Sequence, residues 1–444
     1  MSAPLIFAFW MRAAFTLVDT LFARRIGDHA VAAIGLTIPF EFVSYAIWVG
    51  LSTGLTSAMS GAMARREGAN VERYIRAARL QILCVIPAFL AIGAAIYLGA
   101  FDRGLEADVA ASFRVFGGVL VSGLALTIFW SVLPDSIIKA HQDMRSTMWA
   151  GITSNIGNVL LNLVFTLWWG WGVFGLALAT TLSRLGGLAY AVRVARRHED
   201  ERRARGRDTD PAVDPHPHRT MLALAVPSAA AFMLMATESA IVNVLFRGID
   251  GAKQQIAAYS VFFRVSLFAF QPAIAISVAM LPFSARRFGL HDVAGLRRGF
   301  HEALRGFSLY VVLAVLPVSL LFPAQIAAAF TETAGTRDVA AQVMRILAVG
   351  CLVGGPFALC RPLFEGMRRG TPGLVVAVLR YVVLSLPAAY AGMALAPRLG
   401  LAPVAGMIVG LTAVAAVCSC IFLLWTGKAL REAESDLASR APAM

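Results

Sequence analysis

Apolar residues run along this chain in long blocks, not in the short alternating or one-faced patterns of water-soluble elements. A helix that crosses a bilayer needs about 20 mostly apolar residues. Twelve stretches reach that length, at 3–23, 30–63, 80–101, 112–138, 147–169, 172–194, 220–246, 255–285, 303–322, 339–366, 373–396 and 402–427. The pattern predicts an all-α membrane protein with twelve transmembrane helices. The first stretch runs past the length of a signal-peptide core and contains Asp19, so it reads as a span and not as a removable leader. Between the sixth and seventh stretches lies RRHEDERRARGRDTDPAVDPHPHR (196–219), dense in charge and broken by Pro211, Pro215 and Pro217. Such a segment buries no apolar surface and is expected to be a mobile loop. It divides the chain into an N-terminal lobe (1–195), a cytoplasmic linker (196–219) and a C-terminal lobe (220–428). The tail, 429–444, is expected to form a short, fraying surface helix.

The two lobes repeat. Leu21-Phe22 matches Leu245-Phe246, Ala32-Ala33 matches Ala257-Ala258, and Arg65-Arg66 with Gly68 matches Arg286-Arg287 with Gly289. After the fourth and tenth stretches, HQDMRSTMW (141–149) answers MRRGTPGLV (367–375), each a basic turn opening a long helix. Six spans per half give both halves the same orientation. They are expected to be two six-helix lobes related by a pseudo-two-fold axis along the membrane normal, as in transporters built from parallel repeats. That symmetry suits a cavity that opens to one side and then the other.

Composition agrees and removes other classes. The chain has 444 residues, 58% apolar and 15% charged, where a soluble domain carries about 25% charged residues. Its net charge of +13 invites a nucleic-acid reading, but the positions of the basic residues dispose of it. With the N-terminus placed in the cytoplasm, twenty-five Lys and Arg fall on the cytoplasmic side and nine on the other. This is the positive-inside signature, with both termini cytoplasmic in a multi-pass protein of the cell inner membrane. The expected partners are the lipid bilayer and small organic molecules, with no nucleic acid and a monomeric chain. Five scattered cysteines lack metal-ligand spacing and form no disulfide framework, and no cofactor is implied. There is no HExxH, GxSxG or paired-Asp motif to suggest a membrane-embedded enzyme.

Ionisable groups in apolar helices are costly, which makes them functional candidates. Asp135, Arg361 and Glu365 lie toward cytoplasmic helix ends, where snorkelling or a local ion pair accounts for them. Asp19 lies deeper. In the fifth stretch Gly151, Asn155, Asn158 and Asn162 recur at helical spacing on one stripe, and the sixth stretch brings Thr180 and Thr181 to a similar depth. One carboxylate, amide carbonyls and a hydroxyl can thus converge in the outer half of the first lobe. The set suits a monovalent cation or a protonatable carboxylate, or else a hydrogen-bond net that joins helices. In the second lobe Glu238 sits mid-stretch with no basic residue near it, where desolvation favours proton uptake. Glu41, after Pro39, is a further candidate for proton or substrate coupling.

Taken together, LVDTLFARRIGDHAVAAIG (17–35), NIGNVLLNLVFTLWWGWGVFGLALAT (155–180), AVPSAAAFMLMATESAIVN (225–243) and IAAYSVFFRVSLFAFQPAIAISVAMLP (256–282) resemble the MATE family, the multidrug and toxic compound extrusion antiporters. The resemblance implies a twelve-helix, two-lobe, V-shaped antiporter that expels cationic or amphipathic compounds against inward Na⁺ or H⁺. It implies a cation site at Asp19, Asn158, Asn162 and Thr180, which would ligate Na⁺ if Na⁺ is the coupling ion. Many members carry Asp where Asn162 stands here. Losing that charge leaves Asp19 as the one formal charge of the site and favours H⁺ as the driving ion. Glu238 falls in the helix where another branch carries a Glu, about one turn later along it. The alternative function is a flippase for lipid-linked saccharides of the same broader fold group. Such proteins carry a strongly cationic cavity, for which only Arg12, Arg264 and Arg380 are available here.

Overall fold

The computed structural model describes residues 28–206, 213–246, 251–331 and 333–440, with short pieces at 5–7, 9–11, 22 and 25–27, and it leaves aside the side chains of Asp28, 236–244, 252–253 and 437–440. Among the described residues the regular structure is entirely helical. Eleven helices there are long and apolar enough to cross a membrane, and they occupy the second to twelfth predicted stretches. Most of the first stretch, 3–23, lies outside the described residues. The physical cause is that hydrocarbon offers no partner to backbone N–H and C=O groups, so a spanning segment must satisfy them internally.

The first half contains α1 (Asp28–Ala64), α2 (Gly68–Tyr97), α3 (Ala107–Ala140), α4 (Met144–Asn162), α5 (Gly172–Ala204) and the start of α6 (Pro217–Leu245). The second contains α7 (Ala252–Gly289), α8 (Val293–Tyr310), α9 (Pro323–Phe330), α10 (Ala334–Met344), α11 (Leu347–Gly366), α12 (Thr371–Val378) and α13 (Pro403–Arg440). Two compact units divide between Ala229 and Ala230, inside α6. In the first unit α3 is central, packed on α1, α2 and α5. Its buried glycines let neighbours approach: a Cβ on Gly118 would lie 2.9 Å from Tyr97 Cβ, and one on Gly123 would lie 2.2 Å from Thr181 Oγ1. In the second unit α11 takes the corresponding place, packed on α7 and α13. The same architecture is therefore built twice from different side chains.

The repeat shows most sharply at four turns. Arg66, Gln142, His291 and Arg368 all have φ between 60° and 62°, and they follow α1, α3, α7 and α11 respectively. In each turn the next residue's N–H reaches a carbonyl five residues back, as in Glu67 to Ala62 at 2.9 Å, Asp143 to Ile138 at 3.1 Å, Asp292 to Arg287 at 2.9 Å and Arg369 to Phe364 at 2.8 Å. This is the Schellman closure of a helix C-terminus, made here with L-residues in the left-handed region. The pairing of Arg65-Arg66 with Arg286-Arg287 is thereby corrected. The counterpart of Arg66 is His291, while Arg286 and Arg287 belong to the last turn of α7. An acidic side chain then opens the next helix in two of the turns: Asp143 accepts from Ser146 N–H at 3.0 Å, and Asp292 from Gly295 N–H at 2.8 Å.

The expected loop 196–219 is helical over much of its described parts. Helix α5 continues to Ala204 and α6 begins at Pro217. Asp214 accepts from Tyr74 Oη at 2.9 Å and Thr220 Oγ1 at 2.7 Å, its N–H donates to Asn70 Oδ1 at 2.8 Å, and Arg73 donates to its carbonyl at 2.6 Å. One residue, Asp214, fixes the end of the segment to Asn70, Arg73 and Tyr74 of α2 through its backbone and its carboxylate together. The tail expectation changes too, because α13 runs unbroken from Pro403 to Arg440.

Two predictions follow from the turns. His291→Gly relieves a left-handed L-residue and should leave stability unchanged or raise it by about 1 kcal/mol, whereas His291→Val should lower it by at least that much. Thermal unfolding in detergent separates the two. For Asp143, burial raises the carboxyl, but hydrogen bonds from the Ser146 hydroxyl and amide and from His198 outweigh it and hold the group below the usual 3.8. A depressed carboxyl stabilises above its unfolded value, and that contribution is lost as pH falls through the folded value. Asp143→Ala should therefore cost about 1 kcal/mol at neutral pH, and the gap from wild type should close below pH 3.8.

Candidate functional site

Helices α4 and α5 pack closely because small residues face each other: a Cβ on Gly187 would lie 2.9 Å from the Ala150 carbonyl, and one on Gly157 would lie 3.6 Å from Ser183 Cβ. That approach brings three of the predicted site residues together. Asn162 Nδ2 donates to Asn158 Oδ1 at 3.2 Å, Asn158 Nδ2 donates to Thr180 Oγ1 at 3.2 Å, and Thr180 Oγ1 donates to the Leu176 carbonyl at 3.1 Å. Asn162 is fully buried and Asn158 is 7% exposed. The result is a directed chain from amide to amide to hydroxyl to backbone, at the packed face between α4 and α5. Thr181 turns the other way, donates to the Ala177 carbonyl at 3.0 Å and packs on Gly123 of α3. Asn155 is only half-buried on the stripe.

Directly after Asn162 the helix widens into a π-helical turn, Leu163–Trp168. Such turns re-aim side chains and are frequent at functional positions. Thr166, within it, is buried, and its hydroxyl has no hydrogen-bond partner among the described residues. The sequence reading missed Thr166, although the signal was present: Asn158, Asn162 and Thr166 recur every four residues. Phe165 of the turn stacks on Trp169 and Trp171 just beyond it, with the three ring centroids 4.7–5.2 Å apart. This is the amphipathic aromatic cluster expected where a helix meets the membrane surface.

The other candidates are less tightly assembled. Asp19 lies outside the described residues, as does the side chain of Glu238, whose backbone belongs to α6. Glu41 lies half-buried on α1. The groups read as local ion pairs are such pairs: Lys139 Nζ meets Asp135 at 2.5 Å and Arg361 meets Glu365 at 2.8 Å. Lys139 does not snorkel, however; it is buried and sits 5.2 Å from the centroid of the Trp48 ring. Arg184 donates to Tyr45 Oη at 2.9 Å, and Arg380 sits over the rings of Phe357 and Tyr381 at 4.8 and 4.9 Å.

A helical membrane fold built twice, with polar side chains buried in one repeat, is the architecture of a secondary transporter. The MatE family profile matches residues 4–168 and again 227–391, so the chain belongs to the MatE family and is a multi-pass membrane transporter. The two matches begin 223 residues apart, in line with the internal repeat. Among solved structures, an outward-facing multidrug resistance MATE family transporter of the MOP superfamily superposes with a TM-score of 0.86 at 19% identity, over 98% of this chain and 95% of the other. A MOP superfamily transporter from Pyrococcus furiosus, described by the reverse polarity of its binding pocket, gives 0.85 at 18% identity over 98% and 95%. A FAD transporter from Shewanella oneidensis is 22% identical over 411 residues, covering 88% of this chain and 86% of its own length.

The geometry predicts opposite effects for two neighbouring substitutions. Thr166→Val removes a buried hydroxyl without a partner and should leave thermal stability unchanged or raise it by about 1 kcal/mol. Asn162→Leu strands Asn158 Oδ1 without its donor and should lower stability by about 1–3 kcal/mol. Equal losses in a detergent melting experiment would contradict the assigned bonding.

Proposed function

We propose that this transporter is a proton-driven antiporter that exports organic, mostly cationic or amphipathic, compounds by alternating access across the cell inner membrane, as a monomer with both termini cytoplasmic. The observation that carries the reading is the Asn158–Asn162–Thr180 chain. It occupies the positions at which the family resemblance expects a cation site, in spanning helices, where polar groups are costly and so are candidates for function. Its bonding supports a proton over Na⁺. Asn158 Oδ1 and Thr180 Oγ1 already accept hydrogen bonds, so two of the three side-chain oxygens would have to give up a partner to ligate a metal ion. A proton needs no such shell; it needs one carboxylate whose charge is desolvated, and Asp19 is the carboxylate assigned to it. Export follows if substrate and proton favour opposite conformations, with a coupling of about 1–3 kcal/mol.

The FAD-transporting relative favours a second reading, in which the cargo is an anionic aromatic dinucleotide. Arginines on the spanning helices of the second unit, Arg264 and Arg380, would then supply counter-charge. Uptake of ethidium and of FAD into inside-out proteoliposomes distinguishes the two cargoes, and a lipid-linked saccharide arm covers the flippase alternative. Asp19→Asn should abolish coupled ethidium transport at unchanged membrane yield, while Asn158→Ala and Thr180→Ala should produce graded losses, because neutral groups tune geometry without carrying charge. Full ethidium transport by Asp19→Asn, or FAD transport with none of ethidium, would overturn the proposal.

A further inference from the structure

A second built feature of the first unit lies away from the polar chain, at the charged ends of α2, α3 and α5. A cleft of about 580 Å³ opens there, with Trp130, Leu133 and Leu188 on its walls and Arg79, Arg196 and Arg203 around it. Arg79 and Arg196 are exposed, and among the described residues neither has a hydrogen-bond or ion-pair partner. Arg203 is ion-paired with Glu72 at 3.3 Å, in a half-exposed pair open to a change of partner. Two acidic residues also line the cleft. Glu199 is already answered by His141 and Arg202, both at 3.0 Å, and Arg203 by Glu72, which among the described residues leaves Asp200 against the two unpaired guanidinium groups of Arg79 and Arg196. Along α5 the lining changes from Leu188 to Arg196 over eight residues, about 12 Å at 1.5 Å per residue. An apolar wall thus passes into a cationic rim within the length of a lipid headgroup and the first part of its chains.

The geometry points to a binding site for one anionic phospholipid of the leaflet that faces these basic helix ends. Its phosphate is held among Arg79, Arg196 and Arg203, and its acyl chains lie against Trp130, Leu133 and Leu188. Charge complementarity selects this occupant. Guanidinium forks match phosphate oxygens, basic pockets between spanning helices suit anionic headgroups, and the apolar wall has no use for a free phosphate. The site is independent of the proposed transport reaction, since none of its residues belongs to the Asn158–Asn162–Thr180 chain.

Native mass spectrometry of the full-length protein tests it, in detergent with equimolar phosphatidylglycerol and phosphatidylethanolamine of the same chains. Wild type should retain one phosphatidylglycerol in preference. Arg79→Gln and Arg196→Gln should each lower that preference about fivefold, the weight of one basic side chain beside an anionic lipid surface. Arg79→Lys should keep most of it, and Arg298→Gln with Arg305→Gln, basic residues of the second unit, should change nothing. Phosphatidylglycerol with brominated chains should quench wild-type fluorescence more than that of Trp130→Phe. An undiminished preference in Arg79→Gln/Arg196→Gln, an equal fall in the second-unit pair, or retention of inorganic phosphate in place of lipid would overturn the assignment.

Discussion

In hydrocarbon a polar group without a partner costs several kcal/mol, and this one constraint shapes the molecule at every level. It makes each spanning segment a helix, because only there does the backbone satisfy itself. It sends charged side chains to helix ends, where they pair locally, as Lys139 does with Asp135 and Arg361 with Glu365. Where polar residues stay inside the helices, the same constraint forces them on one another. Asn158, Asn162 and Thr180 form a chain, each side chain donating to the next or to the backbone. Such a chain is held together by its isolation, and it responds to any charge that enters it.

The helices come close enough for this by using small residues. Gly157 and Gly187 seat α4 against α5, and Gly123 seats α5 against α3. Packing of this kind sets side-chain positions to within a methyl group. That is why Thr180 and Thr181, adjacent in sequence, serve different neighbours. The four left-handed turns do comparable work at the charged ends, where they fix the exit direction of α1, α3, α7 and α11 with the same hydrogen bonds in both halves. The similarity between the halves is therefore greatest in backbone turns and central-helix packing, and least in side-chain identity.

Much of this was legible in the sequence, for reasons that differ by element. The spans were plain because twenty apolar residues have few alternatives. The stripe of Asn158 and Asn162 was plain because helical spacing places them on one face. Other features depend on partners that no local pattern names. The charge of 196–219 hid the fact that Asp214 would find Asn70, Arg73 and Tyr74 far away in sequence, and Thr220 nearby. Thr166 escaped because threonine is unremarked in a membrane helix until a π-helical turn aims it inward. The register between Arg66 and His291 was misjudged because basic residues recur near every turn, and only the positive φ marks which of them turns the chain.

The central proposal is that proton binding at one carboxylate, Asp19, drives transport, with the neutral Asn–Asn–Thr chain tuning it. Purified protein in proteoliposomes, with the pH gradient and the Na⁺ gradient imposed one at a time, tests it most directly. Substrate movement should continue under the pH gradient with Na⁺ equal on both sides, and should stop when only the Na⁺ gradient remains. Movement sustained by Na⁺ alone, with the pH gradient collapsed, would contradict the account.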